Sequence, residues 1–207
     1  IIAHRPADVD ALNALPYPDS DFTVEGKLKD MIFTIGENMN IRRFVIIENA
    51  AASYIHGKGS IGVMVKMADS AAADKAEFKD AAKNVALQIA AMKPAYLDKD
   101  SVPADVIKAE MEIIMAQIKN DEKNANKPDA IIEKMVTGKI GKFYERVCLV
   151  EQPYVKDDDL TVGKYVAATA KELGGSIKVD AFVLFEKGEG IAKREENFAE
   201  EIAKLVK

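Results

Sequence analysis

Apolar residues recur along this chain with two distinct periods, and the switches between them mark its elements. Ile61, Val63, Val65 and Met67 alternate strictly with other residues, which predicts a strand with one buried face. Phe22, Leu28, Met31, Ile32 and Ile35 recur at mostly helical spacing, and Gly36 is placed to end that helix. A second helix is predicted over 73–92, with Phe78, Ala81, Ala82, Val85, Ile89 and Met92 on one side and Lys93-Pro94 closing it. The run Phe44-Val45-Ile46-Ile47 is short and β-rich, and predicts a strand over 43–48. Residues 1–22 carry turn signals, Arg5-Pro6, Leu15-Pro16-Tyr17-Pro18 and Asp19-Ser20-Asp21, and read as a loop-rich lead-in.

Further along, Ser101 stands where a helix cap is expected, with Pro103 and Asp105 in the first turn and Ile107, Met111, Ile114, Met115 and Ile118 as the apolar positions. A polar turn over 120–127 follows. Pro128 and Asp129 then open a helix carrying Ile131, Ile132, Met135, Val136, Ile140 and Phe143. Two helices joined by a short polar turn predict an antiparallel hairpin, and its narrow Ile and Met seam is that of a coiled coil. β signals return over 146–155. Thr161 caps a helix running to Leu173, stopped by Gly174-Gly175. Ile177, Val179 and the run 181–185 predict the last strand, Gly188-Glu189-Gly190 a turn, and 193–207 a final amphipathic helix with Phe198, Ile202 and Leu205 on one face. Strands separated by helices without regular βαβ alternation predict an α+β fold with small antiparallel sheets.

Composition narrows the function classes. The 207 residues are 48% hydrophobic and 30% charged with a net charge of −5, ordinary for a globular chain and without the basic excess of a general nucleic-acid binder. No apolar run approaches the roughly 20 residues of a membrane span. Cys148 is the only cysteine, so no intrachain disulfide or Cys-rich zinc site is available; it lies in the apolar run Val147-Cys148-Leu149-Val150 and is expected to be buried.

Few constellations invite chemistry. Gly57-Lys58-Gly59-Ser60-Ile61-Gly62 has the spacing of a dinucleotide-binding turn, but that turn must open a helix and here a strand follows. His4 and His56 lack ligand-type residues at i+3 or i+4 that would build a zinc site. Asp157-Asp158-Asp159 lacks the spacing of a calcium loop and reads as a solvated turn before a helix. Arg42-Arg43 reads as a pair of surface ion-pair partners. No cofactor, metal or catalytic residue is expected. His56, in a Gly-flanked turn, is read either as a contact residue or as a solvated one.

Several segments, taken in order, resemble the signatures of one family. Ile35-Gly36-Glu37-Asn38-Met39-Asn40-Ile41-Arg42-Arg43, Ser53-Tyr54-Ile55-His56-Gly57 with Ile61-Gly62-Val63, Lys127-Pro128 with Ile132-Glu133-Lys134-Met135-Val136 and Gly138-Lys139, Glu151-Gln152-Pro153-Tyr154-Val155, and Phe185-Glu186-Lys187-Gly188-Glu189-Gly190-Ile191 resemble elongation factor Ts. The resemblance implies a translation elongation factor, not an enzyme of covalent chemistry. It implies binding to elongation factor Tu in its GDP-bound and nucleotide-free forms, so that GDP is released. It implies residues 1–49 as the remainder of an N-terminal core subdomain, 50–97 with 148–190 as a C-terminal one, 98–147 as a helical dimerisation hairpin and 191–207 as a C-terminal module. The implied partner-binding residues are Ile35, Gly36, Glu37 and Asn38, then Tyr54, His56 and Gly57, and in the last helix Phe198 and Ile202. No nucleic acid or membrane is implied, and the implied location is the bacterial cytoplasm or an organelle matrix or stroma. The family's N-terminal helical domain and its Thr-Asp-Phe-Val wedge find no counterpart here, Asp21-Phe22-Thr23-Val24 being in the wrong order, so this chain is expected to accelerate GDP release less than a full-length relative. The rival readings are an enzyme using the Gly-rich turn and a dimer-forming scaffold without exchange activity.

Overall fold

The structure, a computed structural model, describes residues 1–68, 71–124, 127–175 and 177–191, which divide into two units, Ile1–Glu48 and Asn49–Lys207. The described residues form six α-helices and small antiparallel sheets, an α+β fold as expected.

The first unit holds α1 (Val9–Ala14) and α2 (Val24–Ile35). Asp8 caps α1 by accepting from the Ala11 N–H at 2.8 Å. This helix corrects the loop-rich reading of residues 1–22: six residues are too few to display a period. Thr23 caps α2, so Phe22 lies outside the helix. Arg5 pairs with Glu48, joining the two ends of the unit. The expected strand over 43–48 does not form. Its local propensity is right, but a strand needs a neighbour for its backbone groups, and no other strand lies in this unit.

The second unit is built on a three-stranded sheet, β1 (Ala52–His56), β2 (Ile61–Met67) and β5 (Val179–Glu186), with β2 central and both pairings antiparallel. Its other sheet is the short pair β3 (Pro153–Tyr154) and β4 (Asp157–Thr161). On β2 the alternation is realised in full: Ile61, Val63, Val65 and Met67 are buried and the residues between them are half-exposed. α3 (Ala76–Met92) packs on that face through Phe78, Ala82, Val85 and Ile89, and α6 (Val162–Glu172) adds Val162, Val166 and Ala170 to the same core. Thr161 caps α6 as expected, accepting from the Lys164 N–H at 3.3 Å.

Between α3 and β3 the chain departs into α4 (Ala104–Asn120) and α5 (Asp129–Val147). Their seam is one apolar cluster of Ile114, Ile118, Ile132 and Val136, and Glu110 pairs with Arg146 at 3.3 Å, so the helices run in opposite directions. The two ends of the excursion meet. Ala95 and Tyr96 donate to the Val147 carbonyl at 2.9 and 3.0 Å, and Leu149 donates to the Tyr96 carbonyl at 2.9 Å. Cys148 is fully buried at this base beside Val102 and Phe143, and burial pushes its thiol up to about 11, which leaves it unreactive at neutral pH. Because the helix pair has its own seam and closely spaced ends, replacing residues 100–145 with a short linker should leave a cooperatively folding unit. A broad, non-cooperative melt of that variant would contradict this.

Three further expectations are corrected. Ser101 does not cap α4; it exchanges hydrogen bonds with Asp98, and Pro103 precedes the helix without a side-chain cap. Residues 146 and 147 end α5 instead of beginning a strand. Asp157-Asp158-Asp159 belongs to β4, not to a turn, because the adjacent β3 offers it a ladder. The final helix expected over 193–207 lies outside the described residues.

Candidate partner-binding surface

Two exposed segments hold the residues singled out from the sequence, one in each unit. In the first, α2 ends at Ile35, and Gly36 takes the left-handed conformation (φ 80°, ψ 10°) while donating to the Ile32 carbonyl at 2.8 Å. Glycine alone reaches that conformation without a steric penalty, so the chain turns off the helix at this point. Apart from its chain neighbours, no residue comes within 4 Å of where a Gly36 side chain would begin, which leaves the backbone open to approach. Glu37 and Asn38 follow in exposed, irregular chain. Ile35 is 55% exposed, and Phe33 two residues earlier is 90% exposed. Phe33 escaped the sequence reading because an apolar residue in an amphipathic helix is indistinguishable by pattern from a core residue.

In the second unit, β1 and β2 are joined by the turn Gly57–Gly59, where Gly57, Lys58 and Gly59 all have positive φ, 57°, 55° and 92°. A side chain at Gly57 would run into Ser60 Oγ. Ser60 Oγ donates to the His56 carbonyl at 3.2 Å and Lys187 donates to the Ser60 carbonyl at 2.8 Å, so both strands flanking the turn are tied. Residues two apart on a strand share a face, which puts Tyr54 and His56 together. The Tyr54 hydroxyl and His56 Nδ1 are 2.8 Å apart, with ring centroids at 5.9 Å. Tyr54 is half-buried against the core while His56 is exposed, and Ile55 between them is 71% exposed on the opposite face. Lys58 at the left-handed tip is a further exposed group of this loop; its place between two glycines was the available signal.

The structure thus gathers Tyr54, His56 and Gly57 on one loop and Ile35 to Asn38 on one helix end. Phe198 and Ile202 lie outside the described residues. The Gly-rich turn opens a strand, so it lacks the helix N-terminus that a dinucleotide pyrophosphate needs. Among the described residues no cluster of three His, Cys, Asp or Glu is arranged to hold a metal ion, and no helix is long and apolar enough to cross a membrane.

Known proteins supply the family. The sequence model of the family described as elongation factor TS matches residues 1–189. The chain belongs to the elongation factor Ts family. It is 41% identical to elongation factor Ts of Syntrophotalea carbinolica over 210 positions, covering the whole chain and 68% of that relative. It is 48% identical to that of Clostridium botulinum over 189 positions, 90% of the chain and 60% of the relative. It is 43% identical to that of Magnetococcus marinus over 202 positions, 96% of the chain and 65% of the relative. The chain therefore spans 60–68% of the length of these three relatives.

Proposed function

We propose that this member of the elongation factor Ts family binds elongation factor Tu through the end of α2 and the β1–β2 loop and promotes GDP release. The family match over residues 1–189 carries the reading, and two exposed, backbone-defined segments at the signature residues support it. No covalent bond is made or broken. A partner that favours the nucleotide-free state weakens nucleotide affinity by the same factor through linkage. The β1–β2 hairpin and the end of α2 present Tyr54, His56, Gly57, Ile35 and Gly36 from regular elements, which limits the ordering these residues need on binding. The reaction is read as cytoplasmic, a reading that the bacterial origin of the matched relatives supports. The test is stopped-flow release of fluorescent GDP from purified elongation factor Tu. Concentration-dependent acceleration is expected, and a release rate unchanged at saturating concentration would refute the proposal.

Within this reading His56 is a docking residue. His56→Ala should leave thermal stability nearly unchanged and weaken binding to nucleotide-free Tu by about 1–2 kcal/mol, as for a contact within an interface core. Titration calorimetry measures this directly. Unchanged affinity would remove His56 from the surface, and a large fall in melting temperature would make it a structural residue.

A second reading concerns self-association through 98–147. One side of α4 carries Ala104, Ile107, Met111 and Met115 along a largely apolar groove of about 580 Å³; Met115 also packs on the seam with α5 and Ile107 on the cluster at the base of the helix pair. This stripe supports a homodimer through the helix pair. Sedimentation equilibrium of the full chain and of Met111→Glu should then show a dimer and a monomer.

A further inference from the structure

From the geometry of the β1–β2 loop we infer that Tyr54 is a positioning residue for His56: its hydroxyl holds the imidazole in the Nε2–H tautomer, so that the loop presents a hydrogen-bond donor and takes an acceptor oxygen, carbonyl or carboxylate, on the partner. The inference rests on the docking role proposed for this loop and adds the chemistry of what it docks against.

Side chains two apart stand on the same face, and β1 places the phenol and the imidazole side by side, with rings tilted by 36° and the oxygen 2.8 Å from Nδ1. One of the two atoms must supply the proton. A phenolic hydroxyl is both donor and acceptor and is the more acidic group, with an ordinary pKa near 10, whereas a neutral imidazole offers one N–H and one bare nitrogen. The stronger pairing is therefore phenol O–H to a bare Nδ1. A hydrogen bond at one ring nitrogen fixes the tautomer, so the proton resides on Nε2.

The rest of the loop makes this choice useful to a partner. Tyr54 is half-buried against the core, which anchors the phenol. The His56 carbonyl is held by Ser60 Oγ at 3.2 Å, and Lys58 and both glycines turn the chain sharply away. Backbone and ring are thus both fixed while the imidazole is exposed. An exposed donor held in one orientation before binding loses little freedom on binding. A free-rotating histidine would offer donor and acceptor alike and discriminate less.

The test reads the free protein first. The chain has two histidines, His4 and His56, so ring nitrogen signals are assigned by comparison with His56→Ala. Nitrogen-15 spectra recorded near pH ~8.5, where an ordinary imidazole is neutral, should show His56 protonated at Nε2 and bare at Nδ1. Tyr54→Phe, which keeps the ring and removes only the oxygen, should bring the two nitrogen shifts toward each other as tautomers mix. It should also weaken binding to nucleotide-free Tu by about 3–10-fold, as for one hydrogen bond, with an unchanged melting temperature. A proton on Nδ1 in the parent chain, or spectra of Tyr54→Phe identical to it, overturns the inference whatever the affinity does. If instead His56→Ala leaves the affinity unchanged, the docking role fails, and the inference about the partner's acceptor falls with it.

Discussion

Replacing Ile89 by alanine should destabilise the second unit by about 2–5 kcal/mol, the range for deleting a large aliphatic side chain from a core that relaxes incompletely. Ile89 is fully buried in the last turns of α3, in the cluster that also holds Val63, Val65, Leu149 and Val162. This one cluster joins material from the sheet, from the turn after α5 and from α6 to α3, so no single element can shift to fill the void. Domains are stable by about 5–15 kcal/mol in all, so the loss is a large fraction of the whole. Urea unfolding should show a lower midpoint with an unchanged slope. Ile131, 46% exposed on α5, serves as a control and should cost within about 0.5 kcal/mol when changed to alanine. A loss below about 1 kcal/mol at Ile89 would mean that α3 is not the central support of this core.

Gln152→Leu should cost about 3 kcal/mol although it makes the interior more apolar, because each buried polar group left without a partner costs about 1–3 kcal/mol. Gln152 is fully buried where the chain leaves α5. Its amide nitrogen donates to the Arg146 carbonyl at 3.1 Å and to the Met92 carbonyl at 3.4 Å, near the ends of α5 and α3. Its oxygen accepts from Gln88 Nε2 at 3.2 Å. Gln88 in turn donates to the Pro153 carbonyl at 3.0 Å and accepts from the Val155 N–H at 2.8 Å. Helix-end carbonyls lack intrahelical partners; Gln152 satisfies one near the end of α3 and one near the end of α5, while Gln88 ties the pair to β3. Leucine at 152 strands two carbonyls and one amide proton. A double-mutant cycle with Gln88→Leu should show coupling, since the two amides share a bond. Additive losses, or a single loss below about 1 kcal/mol, would show that water replaces the network.

The elements legible from the sequence were those in which one period and one cap agreed. Gly36 ending α2, Thr161 capping α6 and the alternation of β2 each stand as expected. The missed strands share a cause, because strand formation depends on a partner as much as on local propensity. Phe44 to Ile47 have strong propensity and no neighbour, so no strand forms. Ala52 to His56 and Asp157 to Thr161 have weak signals, yet each is a strand because β2 and β3 lie alongside. In the candidate surface, the glycines announced the turn after His56. The pairing of Tyr54 with His56 becomes visible only once β1 is known to be a strand. Gln88 was beyond reach for another reason: its partner Gln152 is 64 residues away, and nothing local marks either amide as buried.

The proposed exchange activity requires that this chain prefer elongation factor Tu without nucleotide. The most direct measurement is titration calorimetry of the purified chain against Tu in its nucleotide-free and GDP-bound forms, at one temperature and salt concentration. Exchange by linkage predicts tighter binding to the nucleotide-free form, by a factor on the order of 5–150. Equal affinities would contradict the account, because a ligand that binds both states equally shifts nothing, however tightly it binds.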